Sequence, residues 1–324
     1  FTGDTLFVGD VGRTDFYPDR AAEVAGLLHD SLHRVLLPLG DHVAVYPAHG
    51  KGSVCGGAIA PRDMTTLGYE RRHNPRLQLG RSAFIEAKLS EHHYYPPYFR
   101  RMEAFNGGGR PPPAALPPCP PLPLDEVRRL CSEGAQLLDV RSDQAIAGGL
   151  VPGALAIPLD MVPSFGGWFL DAERPVLLVL DRPADRERAV RLLMRIGYAN
   201  VVGFAAGGFE AWANSGACLD AIAGTDVHQL KQRLQAGESV TLLDVRGRDE
   251  LAQGRIEGAR HVYVGEVEQR LREIPGGPIV TYCTTGRRAL VAAAALKRLH
   301  RDDVSVCWGS MTAWQKAGYP VSDA

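Results

Sequence analysis

The chain has 324 residues, 45% hydrophobic and 23% charged, enough material for two or three globular cores. Its 36 lysines and arginines against 37 aspartates and glutamates leave a formal net charge of −1, which gives no support for nucleic acid or an acidic membrane as a main partner. No apolar run approaches the roughly 20 residues of a membrane span. The cysteines at 55, 119, 131, 218, 283 and 307 form no Cys-x-x-Cys, so neither a disulfide framework nor a zinc cluster is expected. With no signal-peptide layout, a reduced, cytoplasmic protein is the expectation.

The chain opens with Phe1-Thr2-Gly3-Asp4-Thr5-Leu6-Phe7, followed by Gly12-Arg13-Thr14-Asp15-Phe16 and then Val45-Tyr46-Pro47-Ala48-His49-Gly50. Taken singly, such an aspartate is commonly a turn residue and such a histidine a surface or satisfied core residue. Jointly, these segments resemble the later half of a metallo-β-lactamase-fold domain of the persulfide dioxygenase and glyoxalase II group. The resemblance implies Asp4 as a metal ligand, Arg13 and Tyr46 lining a thiol-substrate pocket, and His49 at the metal edge, a ligand in two-metal relatives. It implies Fe(II) for a dioxygenase, with zinc as the alternative. It also implies an upstream His-x-His-x-Asp-His motif and a further histidine ligand, which this sequence does not contain. The chain is therefore expected to be the carboxy-terminal portion of a longer protein, with an incomplete metal site.

Further along, Cys55 stands in a glycine-rich loop, Gly52-Ser53-Val54-Cys55-Gly56-Gly57, for which no role follows from the sequence. His92-His93-Tyr94-Tyr95-Pro96-Pro97 reads as a segment closing the domain rather than a metal tract. From Gly107 to Pro123 glycine and proline crowd the chain and predict an extended linker.

After the linker the chain repeats itself. Leu137-Leu138-Asp139-Val140-Arg141 recurs as Leu242-Leu243-Asp244-Val245-Arg246, and Ala211-Trp212 recurs as Ala313-Trp314. Gly149-Leu150-Val151-Pro152-Gly153-Ala154 recurs as Gly254-Arg255-Ile256-Glu257-Gly258-Ala259. Apolar strands alternating with helical stretches in each copy predict a parallel α/β sheet. Asp139, Arg141, Asp244 and Arg246 are expected to hold loops through charged hydrogen bonds. The predicted divisions are 1–106, a linker at 107–121, and repeats at 122–219 and 224–324.

The second repeat carries the chemistry. Pro278-Ile279-Val280-Thr281-Tyr282 reads as a buried strand, and from Arg287 the chain is rich in helix formers. Cys283-Thr284-Thr285-Gly286-Arg287-Arg288 thus joins a strand to a helix N-terminus, where amides and dipole favour an anion. A cysteine so placed can have its pKa lowered from about 8.5 to between roughly 3.5 and 7.5. Cysteines more commonly act as small buried hydrophobes, but the glycine and paired arginines weigh against that here. In the corresponding loop of the first repeat, Asp181 stands where the cysteine would be, and that loop is two residues longer and acidic.

The Cys283 loop resembles the tight active loop of rhodaneses rather than that of Cys-x5-Arg phosphatases, whose arginine position is Ala289 here. The Leu-Leu-Asp-Val-Arg, Gly-x-Ile/Val-x-Gly-Ala and Gly-x-x-x-Ala-Trp landmarks extend the resemblance over roughly residues 122 to 322. It implies that Cys283 carries a sulfane sulfur as a persulfide, that the amides from Thr284 through Thr285, Gly286 and Arg287 to Arg288 stabilise the anion, and that Arg287 or Arg288 binds an anionic donor. Thiol persulfides, thiosulfate or sulfite are the implied small-molecule partners, and homo-oligomerisation stays open. The order of segments resembles persulfide dioxygenase and sulfurtransferase fusions. Two other readings stand beside it, a persulfide-sensing regulatory pair and a glyoxalase II-like zinc hydrolase.

Overall fold

The computed structural model describes residues 1–50, 53, 55–56, 59–108 and 115–322. Residues 109–114 of the predicted linker and positions 51, 52, 54, 57 and 58 of the glycine-rich loop lie outside the described residues. Contacts divide the chain into two compact units, Phe1–Tyr95 and Pro96–Ala324. No described helix is long and apolar enough to cross a membrane.

The first unit contains α1 (Ala21–Asp30), β1 (Ala44–Val45), β2 (Thr65–Thr66), α2 (Leu67–His73) and α3 (Arg81–Ser90). β1 and β2 pair antiparallel, with Val45 opposite Thr65. Leu6, Val11, Leu32, Val45, Leu67 and Phe84 meet in its core. Thr66 caps α2 by accepting the Tyr69 N–H, a role suited to a short hydroxyl side chain. Buried Glu70 accepts from Gly9 N–H at 2.9 Å, Thr65 Oγ1 at 2.8 Å and Asn74 Nδ2 at 2.9 Å, and so fixes the loop that follows the Asp4 segment. Thr2 N–H donates to Tyr46 O at 3.2 Å and Ala48 N–H to Gly3 O at 3.1 Å, which lays Asp4 beside the segment leading to His49.

The second unit begins with α4 (Tyr98–Gly107). Its boundary falls ahead of the predicted one at 106 because Tyr98 packs into the core of the first repeat, so close to Gly167 that a Cβ there would lie 2.1 Å from the ring. The first repeat follows as β3 (Pro121–Leu122), α5 (Leu124–Ser132), β4 (Gln136–Asp139), α6 (Asp143–Gly148), β5 (Leu155–Ala156), α7 (Val162–Phe169), β6 (Val176–Val179), α8 (Arg186–Arg195), β7 (Val201–Ala205) and α9 (Gly208–Asn214). The second repeat comprises β8 (Ala223–Thr225), α10 (Val227–Gln235), β9 (Thr241–Asp244), α11 (Arg248–Leu251), β10 (Arg260–His261), β11 (Ile279–Tyr282), α12 (Arg287–Arg298), β12 (Val304–Cys307) and α13 (Ser310–Lys316).

Each repeat forms a parallel sheet, as predicted, and has five strands. Strand orders β3-β7-β6-β4-β5 and β8-β12-β11-β9-β10 are the same topology used twice. Register repeats too: Asp139 lies opposite Val179, and Asp244 opposite Tyr282. In both copies a buried aspartate at the end of the second strand forks the following arginine, which donates onward to a glycine carbonyl. Arg141 reaches Gly149 O at 2.6 Å and Arg246 reaches Gly254 O at 2.9 Å. Charge-assisted bonds of this kind hold the loop after the strand in one shape.

One core spans both repeats, uniting Leu138, Leu155 and Phe165 of the first with Leu243, Ile279 and Val306 of the second. The helix α12 sits within it. Every residue from Ala289 to Leu296 is buried, so the helix is apolar on all sides, as a helix enclosed by two layers must be. The first repeat thereby packs against the helix that carries the Cys283 loop at its N-terminus.

Candidate active site

Strand β11 ends at Tyr282 and α12 starts at Arg287, leaving four residues to make the turn. Gly286 closes it with φ at 110°, and a Cβ there would meet Trp308 Cε3 at 3.0 Å, so only glycine suits the position. The turn directs Gly286 N–H onto Cys283 Sγ at 3.1 Å. The first amides of α12 have no intrahelical acceptor, so the sulfur meets the positive end of the helix. Cys283 itself is 1% exposed.

The loop is backed by the start of α13. Met311, Thr312 and Gly309 donate their amides to the carbonyls of Cys283, Thr284 and Thr285 at 3.1, 2.9 and 3.2 Å. Ser310 Oγ accepts the Cys283 N–H at 3.1 Å. The sulfur therefore sits on a loop fixed from behind by four hydrogen bonds.

Both arginines are engaged by carboxylates. Arg288 forks Glu250 at 2.6 and 2.7 Å, and Thr284 Oγ1 donates to the same carboxylate at 2.8 Å. Burial works to raise the Glu250 pKa, but Arg288 and Thr284 outweigh it and bring it down to about 2. For Arg288 burial works to lower the pKa, and Glu250 and the nearby Cys283 sulfur more than offset it. Arg287 forks Asp160 at 2.7 and 2.8 Å and donates its Nε to Asp143 at 2.8 Å. Both acids come from the first repeat. Pairing with Asp160, then with Asp143, raises the Arg287 pKa, and burial opposes it. Asp143 Oδ1 is buried without a hydrogen-bond partner among the described residues. Glu250, Asp143, Asp160 and Ser310 had no role in the sequence reading.

At the place of Cys283 the first repeat has Asp181, whose carboxylate accepts the Ser142 N–H at 2.7 Å. A cavity of about 370 Å³ remains there, lined by Arg141, Asp181, Pro183, Gly208 and Phe209.

In the amino-terminal unit, His49 Nε2 lies 3.2 Å from Asp4 Oδ1. Cys55 joins them, the three donor atoms all lying within 4.8 Å of one another. Asp4 and then Cys55 push the His49 pKa up to about 10, against burial. The signal that could have found Cys55 is its place six residues after His49 in a loop able to fold back. Arg13 and Tyr46 are placed differently. Arg13 has a side chain 1% exposed and forks Asp15 at 2.6 and 2.9 Å. Tyr46 is exposed and lies against Phe1, ring centroids 5.8 Å apart.

Residues 123–215 and 226–317, together more than half of the chain, each match the rhodanese-like domain. The chain belongs to the rhodanese-like family. Its Cys283-bearing and Asp181-bearing repeats are thus two rhodanese domains. The chain is 35% identical over 97 residues to a sulfurtransferase of Allochromatium vinosum, covering 30% of this chain and 91% of that protein. It is 40% identical over 77 residues to the hydroxyacylglutathione hydrolase GloC of Haemophilus influenzae, covering 24% of this chain and 29% of that one. Of two further curated relatives, the HTH-type transcriptional regulator Rv0324 of Mycobacterium tuberculosis and the putative sulfur carrier protein YrkF of Bacillus subtilis, the match spans 42% and 37% of their length. Among solved structures, a metallo-beta-lactamase from Staphylococcus aureus matches with a TM-score of 0.51 and 26% identity, over 64% of this chain and 56% of that one. The protein is therefore an α/β protein of two rhodanese domains, with a metallo-beta-lactamase neighbour for its amino-terminal part.

Proposed function

We propose that this protein is a sulfurtransferase that moves sulfane sulfur through a Cys283 persulfide. The observation that carries the reading is the Gly286 N–H on Cys283 Sγ at the N-terminus of α12, since that end stabilises both the attacking thiolate and the persulfide. The likeness to the Allochromatium sulfurtransferase supports it.

The step balances as a displacement at sulfur. Cys283 thiolate attacks the outer sulfur of thiosulfate or of a thiol persulfide, the donor S–S bond breaks, and sulfite or the thiolate leaves with the electron pair. A nucleophilic acceptor, a thiolate or sulfite, then takes the terminal sulfur and returns Cys283 as thiolate. The Asp181 copy has no thiol at that position, so it transfers nothing and serves to enclose α12 and hold Arg287.

The finer reading is a fusion with a persulfide dioxygenase, supported by the metallo-beta-lactamase likeness. A ferrous facial site takes two histidines and one carboxylate. The cluster here offers one carboxylate, one imidazole and one thiol among the described residues. That donor set does not match the iron triad.

The test is transfer from thiosulfate to a thiol by the full chain and by Cys283→Ala. Loss of at least a thousandfold in the variant, with a persulfide trapped on Cys283 in the wild type, is expected; full activity in Cys283→Ala would overturn the assignment. A persulfide that forms but never passes to any acceptor would favour the sensing role instead.

A further inference from the structure

The two repeats differ at a position next to the sulfur loop that is buried in the second copy. Gly207-Gly208 opens α9 and Gly309-Ser310 opens α13, in each case just ahead of the repeated Ala-Trp pair. All four residues have left-handed backbones, with φ of 73°, 58°, 73° and 45°. Glycine adopts that conformation freely and serine does so at a cost. In the first repeat a side chain would be crowded, because a Cβ on Gly208 would lie 3.1 Å from Leu180 O. In the second repeat the side chain is present, fully buried, and bonded at both ends. Ser310 Oγ accepts the Cys283 N–H at 3.1 Å and donates to Cys307 O at 2.7 Å.

We propose that Ser310 is a positioning residue for sulfur transfer, its hydroxyl anchoring the Cys283 amide to the end of β12 so that Sγ stays on the Gly286 N–H. The inference rests on the sulfurtransferase role of Cys283 proposed above. Without the hydroxyl, a buried amide loses its acceptor, and the Tyr282–Cys283 peptide, still held at its Tyr282 carbonyl by the Val245 N–H at 3.0 Å, loses its second tether and gains freedom to turn. Such a turn carries Cβ and Sγ with it. The strained backbone is kept where the cysteine is present, and glycine stands where it is not. Because Ser310 is wholly buried behind the loop, it bears on the orientation of the nucleophile and not on the capture of the donor.

Two variants separate anchoring from strain. Ser310→Ala and Ser310→Gly both remove the hydroxyl, but only glycine relieves the left-handed backbone. With the full chain, alkylation of Cys283 by iodoacetamide is followed across pH by peptide mass, alongside kcat and KM for thiosulfate with cyanide as acceptor. In both variants alkylation and kcat should fall on the order of tenfold, KM should stay within about twofold, and the alkylation profile should move to higher pH. Ser310→Gly should do this while melting no lower than Ser310→Ala. Wild-type alkylation and kcat in Ser310→Gly would overturn the proposal, as would a loss confined to Ser310→Ala. A wild type that transfers no sulfur from thiosulfate sinks the sulfurtransferase reading, and the alkylation arm then decides the role of Ser310 alone.

Discussion

Arg287 of the sulfur-loop helix forks the carboxylate of Asp160, a residue of the other rhodanese domain, at 2.7 and 2.8 Å. With Asp143 also on its Nε, the first cation of the loop is held by two acids from the copy that has no cysteine at the loop position. The pair is partly exposed, Arg287 by 39% and Asp160 by 51%, so its worth to stability is small. Its effect on the field at the loop is larger. Asp160→Asn is expected to shift the melting temperature by no more than about 2 °C and to lower KM for dianionic thiosulfate about threefold at low salt, since a less compensated guanidinium attracts the donor. Steady-state kinetics at two ionic strengths check this; a raised KM would show that the clamp supports donor binding instead.

Glu250 supplies a pH dependence with a definite sign. Its pKa falls from 4.5 to about 2 in the folded protein, through Arg288 and Thr284 acting against burial. A depressed carboxylate contributes stability that is complete above its unfolded pKa and lost as pH falls through the folded one. The wild type should therefore exceed Glu250→Gln by on the order of 2 kcal/mol at neutral pH, with the difference constant down to about pH 5 and shrinking toward pH 2. Denaturant melts of both proteins across that range measure it. A difference that closes already between pH 7 and 5 would contradict the assignment.

The repeats were legible because each buried strand reads as a short apolar run and each carries the same Leu-Leu-Asp-Val-Arg end, whose side chains then make the same bonds in both copies. What was not legible depends on chain closure. Asp160 lies 127 positions from Arg287, and nothing in either local sequence announces the other. Cys55 lies with Asp4 and His49 in space, which no motif in the sequence announces. Ser310 had a readable signal, a serine aligned with Gly208, but its meaning needs the backbone angle and the Cys283 amide.

The Asp181 loop should not be convertible by one substitution. A 3₁₀ turn at Pro183–Asp185 occupies the position where the second copy has its Gly286 turn, and among the described residues Asp181 accepts the Ser142 N–H rather than an amide of its own loop. Asp181→Cys in a Cys283→Ala background is expected to yield under about 1% of wild-type transfer, in keeping with the dependence of thiolate chemistry on its surroundings. Peptide mass after thiosulfate treatment would reveal a persulfide on the introduced thiol, and a stoichiometric one would refute the prediction.

The enclosure of α12 predicts where stability and activity separate. Leu290 and Ala292 are wholly buried in the core that unites the two rhodanese domains. Truncating Leu290 to alanine opens a cavity and should cost about 2–5 kcal/mol, and enlarging Ala292 to leucine should cost about 1–3 kcal/mol by overpacking. The sulfur loop is held from behind by α13, through Ser310, Met311 and Thr312, and not by these side chains. Both variants should therefore unfold at lower denaturant while keeping kcat within about twofold at 25 °C, where most molecules stay folded. The second domain expressed without the first exposes the same apolar helix face, and it should aggregate or remain partly unfolded, as a large uncovered apolar patch dictates. Size-exclusion chromatography and circular dichroism of that fragment, set beside melts of the two variants, test the claim that the Asp181-bearing domain is the other wall of the core around α12. A monomeric, cooperatively folding fragment would show that α12 is covered well enough by its own sheet.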